Sequence, residues 1–384
     1  MSIPRTTTLA AIAAAFPALA WAGTTESSPF DRAWALATLY RNDRNPYLQE
    51  FKLRGRYHGQ YYKVDADQGN TDHWEDRRSR FGFDAKLFEK RIEVRVDFQS
   101  NDGFSDFYDG LVDAYIRWKP SKDFSVTVGK VQTMIAHFDW LGSSNSQPTF
   151  ERSQIFAQLG INRATAVTVE GTADRFTYRA GIYSNDTPSS TGGSGSWGDG
   201  EFGDFNGGVS TSLGVGYDFK AWTGLDKSDF RLDWLHSDRK TGDLVLNRYD
   251  DILTTTFWLQ HEAATLVMEG FYVSGGDGEN SDAFGFYLEP LYDLVPEKLQ
   301  LVGRYSYSHS SGDRGLIAAT RYERTVVGNS ARGDQYHSIY LGAQYFIHGD
   351  KLKLMAGTEW SRLRGPATET YQGFTYLTGL RFSF

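Results

Sequence analysis

Residues 48–62 read Leu-Gln-Glu-Phe-Lys-Leu-Arg-Gly-Arg-Tyr-His-Gly-Gln-Tyr-Tyr, and their pattern decides the fold. Phe51, Leu53, Tyr57 and Tyr61 share one side of an extended chain with Gly55 and Gly59, while Lys52, Arg54, Arg56, His58 and Gln60 take the other. Side chains of a strand alternate between its two faces, so a period of two marks a strand with one apolar and one polar side. Inside a closed protein core, each unpaired charge of such a polar side would cost on the order of several kcal/mol. The polar side must therefore face water.

The same device recurs outward from this segment. Phe81, Phe83, Ala85 and Leu87 oppose Arg78, Arg80, Asp84 and Lys86; Ile92, Val94, Val96 and Phe98 oppose Glu93, Arg95, Asp97 and Gln99; Val112, Ala114, Ile116 and Trp118 oppose Asp113, Tyr115 and Arg117. Further strands are predicted at 124–131, 164–171, 176–184, 210–219, 230–237, 253–261, 264–274, 283–289, 299–309, 336–347, 351–360 and 373–384, sixteen in all. Short links at 89–90, 120–123, 171–175, 262–263 and 348–350 alternate with long ones at 63–75, 100–110, 132–163, 185–209, 238–252, 275–282, 310–335 and 361–372. Two links on the short side, 220–229 and 290–298, are longer than their neighbours. Outer-membrane barrels have this layout, with short periplasmic turns and long external loops. The fold class is an all-β transmembrane antiparallel up-and-down β-barrel of about sixteen strands.

The chain's two ends fit that placement. Arg5, the apolar stretch Leu9 to Ala20 and the small residues around Ala20-Trp21-Ala22 predict a signal peptide over 1–22, too short for the ~30 Å hydrocarbon layer that about twenty helical residues cross. A short periplasmic segment follows over 23–47, with a helix predicted at 30–40, and the barrel occupies 48–384. Phe374, Tyr376, Leu380, Phe382 and Phe384 stand on one face of the last strand, and the terminal Phe384 is the feature that the barrel assembly machinery would handle. No later segment supplies an apolar run of that length and mean hydropathy is negative, which excludes a helical membrane protein but not a barrel, whose alternation dilutes any windowed signal. With no cysteine there is no disulfide framework, and a net charge of −8 argues against a nucleic-acid partner.

Several stretches resemble the phosphate-selective porin O and P family: Arg77-Arg78-Ser79-Arg80-Phe81-Gly82-Phe83, Ile92 to Phe98, Val112-Asp113-Ala114-Tyr115-Ile116, Val128-Gly129-Lys130, Glu151-Arg152-Ser153, and Gly285-Phe286-Tyr287 through Leu299 to Tyr307. The resemblance implies a homotrimer of sixteen-stranded barrels in the outer membrane, each narrowed by its third long loop, here 132–163, folded inward. It also implies a lysine- and arginine-rich eyelet. This loop departs from that pattern, for it holds no lysine, only Arg152 and Arg163 against Asp139 and Glu151.

In a barrel the lumen-facing residues carry the function, since diffusion needs a wetted path of suitable charge and width and no catalyst. The expected lining is Lys52, Arg54, Arg56, Arg78, Arg80, Arg95 and Arg117, a basic stripe suited to small anions and other hydrophilic solutes or ions; Asp84, Glu93, Asp97 and Asp113 would neutralise part of it. A general pore with only a transverse field is the alternative. No cofactor is expected. The eight histidines include no pair three to five residues apart, so no metal site is predicted, and residues 276–282 resemble a calcium loop in composition without its ligand spacing. The tract 189–200 reads as a surface loop. A barrel enzyme of lipase or protease type would need a nucleophile, a histidine and an orienting group together, and no Gly-x-Ser-x-Gly elbow occurs. A non-conducting adhesin is the third reading.

Overall fold

The structure, a computed structural model, describes residues 28–100, 107–185, 208–239, 246–276, 278–318, 321–365 and 369–384. The predicted signal peptide and the tract 189–200 lie outside the described residues, as does Asp277 of the calcium-like stretch.

A short helix, α1 (Pro29–Ala35), opens the described chain, and strand β1 (Thr38–Arg41) follows. Then come β2 (Leu48–Ala66), β3 (Gly69–Leu87), β4 (Ile92–Ser100), β5 (Gly110–Ser121), β6 (Phe124–Gln132), helix α2 (Gln154–Leu159), β7 (Arg163–Ala173), β8 (Phe176–Ser184) and β9 (Gly208–Asp218). Helix α3 (Lys220–Thr223) leads to β10 (Lys227–Arg239), β11 (Asp251–His261), β12 (Ala264–Ser274), β13 (Ala283–Val295) and β14 (Leu299–Ser310). The small strands β15 (Leu316–Ile317) and β16 (Arg332–Gly333) flank helix α4 (Arg321–Val327), and β17 (Gln335–Phe346), β18 (Leu352–Arg364) and β19 (Glu369–Ser383) complete the chain.

Every neighbour in the series from β2 to β14 and from β17 to β19 pairs antiparallel, β14 pairs with β17, and β19 closes onto β2 with Ser383 opposite Arg56. The result is a closed barrel of sixteen strands. Closure leaves no unpaired sheet edge in the membrane, where an unsatisfied backbone group costs several kcal/mol by rough count. None of the described helices is long and apolar enough to cross a membrane. The apolar side chains of the alternation lie outside: Ile116, Trp118, Val167, Ile182, Leu213, Phe257 and Leu341 are exposed on the barrel exterior.

Four differences from the sequence reading have physical reasons. The predicted helix at 30–40 stops at Ala35, because β2 runs past the end of β19 and its unpaired edge is filled by β1: Leu53 donates to the Ala37 carbonyl at 2.8 Å and Thr38 stands opposite Lys52. The predicted loops at 63–75 and 361–372 are largely strand. Val64, Leu363 and Tyr371 are buried on the inner faces of these extensions, which pack against α4 instead of ending at the membrane. The link at 290–298 shrinks as β13 continues through Pro290 to Val295, and α3 occupies part of 220–229.

The seam rests on local contacts at the periplasmic end. Ser28 and Asp31 cap α1 reciprocally, and Trp34 of that helix donates its indole N–H to the Ser383 carbonyl at 2.5 Å. Phe384 exchanges backbone hydrogen bonds with Gly55, 3.0 Å from its own N–H. A Cβ at Gly55 would lie 2.1 Å from the Phe384 ring. A Gly55→Leu barrel should therefore unfold in unheated detergent gels at a lower temperature than wild type, by the roughly 1–3 kcal/mol of an overpacked site. Adding Phe384→Ala should recover part of the loss, and a Gly55→Leu barrel as stable as wild type would refute the contact.

Candidate functional site

The segment between β6 and β7 lies inside the barrel, and wall residues hold it there. Glu269 of β12 accepts the backbone N–H groups of Phe138 at 2.7 Å and Asp139 at 3.0 Å, and also receives Thr256 and Tyr287. Thr254 of β11 accepts from Ala136, and Tyr183 of β8 accepts from Met134. Further along, Arg304 of β14, Lys353 of β18 and Arg381 of β19 donate to the carbonyls of Glu151, Gln147 and Phe150. The segment thus fills the side of the lumen bounded by β10 to β19. The opening that remains is against β2 to β5.

That opening is a cavity of about 720 Å³. Among the described residues it is lined by eleven arginines, Arg54, Arg56, Arg77, Arg78, Arg80, Arg95, Arg152, Arg163, Arg248, Arg321 and Arg324, against three carboxylates, Asp97, Asp113 and Glu151. Some of the arginines are neutralised in place. Arg54 reaches Asp84 at 2.8 Å and Asp97 at 3.0 Å, Arg95 reaches Asp84 at 2.7 Å, and Arg163 reaches Asp113 at 2.7 Å. Two others bond only to neutral groups among the described residues: Arg56 donates to the Ser144 hydroxyl at 2.7 Å, and Arg152 donates to the Asp139 carbonyl while lying over the Trp140 and Phe156 rings. Arg80 donates to the Gln99 side chain at 3.0 Å.

The cavity brings together Arg54, Arg56, Arg78, Arg80 and Arg95 of the sequence-derived stripe with Glu151, Arg152 and Arg163 of the inner segment. Lys52 is set apart, in an adjoining cavity toward the periplasm with Lys351 and Phe384. Arg117 lies off the narrow part, bonded to Thr127 and 4.0 Å from Glu170. Asp139 does not line the opening either. It is buried and accepts both the backbone N–H and the hydroxyl of Ser153, a brace within the segment.

Four arginines were missed by strict alternation. Arg77 enters through a bulge, since His58 pairs with Arg78 but Gly59 pairs with Asp76, which leaves one extra residue and turns both neighbouring arginines to the cavity. Arg248 comes from the link before β11, and Arg321 and Arg324 from α4, which folds down between β2, β3 and β19. Adjacent like residues in an otherwise alternating strand were the only signal for Arg77; nothing local marked the other three.

Arg77 and α4 meet at one carboxylate. Arg77 forks onto Glu151 at 2.5 and 2.8 Å, the Tyr322 hydroxyl lies 3.2 Å from Glu151 and 2.7 Å from Glu75, and Arg321 pairs with Glu75 at 2.9 Å. Burial alone would raise the Glu151 carboxyl; Arg77, with Arg78 and Arg321 beyond it, overrides that and holds it well below the usual carboxylate range. The carboxylate stays charged and keeps the inner segment tied to β3 and α4.

A family model described as phosphate-selective porin O and P matches residues 51–223. No curated protein matches the sequence. Among solved structures, an anion-selective porin from Comamonas acidovorans is similar over 87% of this chain and 99% of its own, at 12% identity and a TM-score of 0.60. OprB of Pseudomonas putida, in a structure at high pH, is similar over 87% of this chain and 94% of its own, at 11% identity and a TM-score of 0.59. The outer membrane channel DcaP of Acinetobacter baumannii is similar over 90% of this chain and all of its own, at 11% identity and a TM-score of 0.55. At these identities the likeness is one of fold.

Proposed function

We propose that this chain, an outer-membrane channel of the porin type, passes small anions in preference to cations. The observation that carries the reading is the excess, among the described residues, of eleven arginines over three carboxylates around a single opening. Guanidiniums in a confined aqueous passage raise the local concentration of anions and repel cations, and their planar forks suit carboxylates and phosphates. The inner segment's lack of lysine, which set it apart from its family's eyelet, matters less once the charge is traced to its source. Most of the cationic groups come from the β2–β4 wall, α4 and the link before β11.

The test is the reversal potential of single channels in a planar bilayer under a potassium chloride gradient, repeated with added phosphate. A potential shifted toward the chloride equilibrium value is expected; a cation-shifted potential would sink the reading. Zero conductance would favour a surface adhesin, and turnover of lipid or peptide by the folded protein would favour a barrel enzyme. By its family resemblance the channel is a homotrimer, which electrophoresis of the unheated protein reads directly: a monomer band would exclude it.

A further inference from the structure

The opening has two unlike walls. Strands β2 to β4 present guanidiniums, and the inner segment facing them presents Leu141, Phe156 and Ala157. These three residues are only half-buried, and because the segment lies inside the barrel, the surface they keep exposed faces the lumen. A passage crossed only by hydrated ions gains nothing from such a surface, since water meets it at a cost that grows with its area. An exposed apolar patch rimmed by charged groups is the usual mark of a ligand site.

The patch is held in place. The Phe156 ring stacks on Trp140 with centroids 5.0 Å apart and planes at 21°, and Trp140 itself is buried. Arg248 donates to the Ala157 carbonyl and, at 3.1 Å, to the Gln158 carbonyl, which fixes the part of α2 that carries Phe156 and Ala157. Arg56 and Arg152, the two guanidiniums bonded only to neutral groups among the described residues, stand beside it. Arg56 reaches the Ser144 hydroxyl, three positions on from Leu141, and the Arg152 guanidinium carbon lies 4.9 Å from the Phe156 ring centroid. The three carboxylates of the lining are each tied to an arginine: Asp97 to Arg54, Asp113 to Arg163 and Glu151 to Arg77.

We infer that the opening favours, among anions, organic carboxylates that carry a compact apolar body, of the kind of benzoate. The carboxylate accepts from the Arg56 or Arg152 guanidinium, and the ring covers the patch and releases the water on it. Inorganic anions and formate use the guanidiniums alone and leave the patch wet, whereas a neutral ring uses the patch alone. The inference rests on the anion preference above and adds to it the chemical class of the anion.

The test is chloride current through wild-type channels at neutral pH during titration with benzoate, with formate, which has the carboxylate and no ring, and with benzamide, which has the ring and no charge. Benzoate should reduce the current along a saturating curve, its half-blocking concentration roughly tenfold or more below those of formate and benzamide. Replacing Leu141 and Phe156 together by glutamine should bring the benzoate value to within about threefold of the formate value in the same channels, and Leu141→Gln alone, for use if the double variant does not insert, should move it part of the way. Reading the ratio removes any change common to both anions. Benzoate blocking no better than formate or than benzamide in the wild type overturns the inference, as does an inserted double variant that keeps the wild-type ratio. A cation-shifted reversal potential in potassium chloride would instead overturn the anion preference itself; an anion-shifted one with benzoate and formate alike overturns this inference alone.

Discussion

Replacing Arg56 and Arg78 together by glutamine should lower the anion-to-cation permeability ratio by about tenfold, read from the reversal potential in a salt gradient. These two are chosen because neither forms a direct ion pair with a carboxylate among the described residues. Arg56 meets the neutral Ser144 hydroxyl, and the Arg78 side chain forms no hydrogen bond or ion pair with any described residue, whereas Arg54 and Arg95 share Asp84. A unit charge about 5 Å from the ion path, at an effective dielectric constant near 20, is worth roughly 3 kcal/mol before salt screening removes a good part of it. Two such charges make a tenfold change a modest expectation. Arg117→Gln is the comparison, since that residue pairs with Thr127 and Glu170 away from the narrow part, and its potential should stay near wild type. An unmoved potential in the double variant would show that these guanidiniums do not face the path.

The second large effect is expected from Glu269→Leu. Glu269 receives two backbone N–H groups of the inner segment and the Thr256 and Tyr287 hydroxyls, all in a buried site. Removing the acceptor strands these donors at roughly 1–3 kcal/mol apiece, more than a segment held by scattered single bonds can absorb. Single-channel records should then show frequent steps between conductance levels and a larger mean conductance. The detergent-gel unfolding temperature should change little, because the sixteen-strand ladder does not run through Glu269's side chain. Quiet channels of wild-type conductance would show that the other anchors, Arg304, Lys353 and Arg381 among them, suffice to hold the segment.

The strand count and the membrane placement were legible because every strand obeys one local rule, apolar residues outward and polar ones toward the lumen. The rule also put Arg54, Arg56, Arg78, Arg80 and Arg95 on the inner face. It failed in particular places. Where β2, β3, β18 and β19 rise beyond the bilayer, water and α4 replace lipid, alternation loses its apolar partner, and strand reads as loop. A bulge inserts one residue and shifts the phase, so alternation alone does not bring Arg77 to the inner face. Asp139 has the composition of a constriction residue, yet its oxygen caps Ser153 inside the segment.

By itself the sequence determined the closed barrel, its sixteen strands and which side of each strand meets water, since a period of two is written residue by residue and needs no knowledge of distant partners. Only the tertiary structure decided where the lumen narrows and which charges gather there. Arg77, Arg248, Arg321 and Arg324 reach one cavity with Arg56 and Arg78 from segments up to some 270 positions apart, brought together by barrel closure and the descent of two loops. Long-range proximity of that kind leaves no local period for the sequence to display.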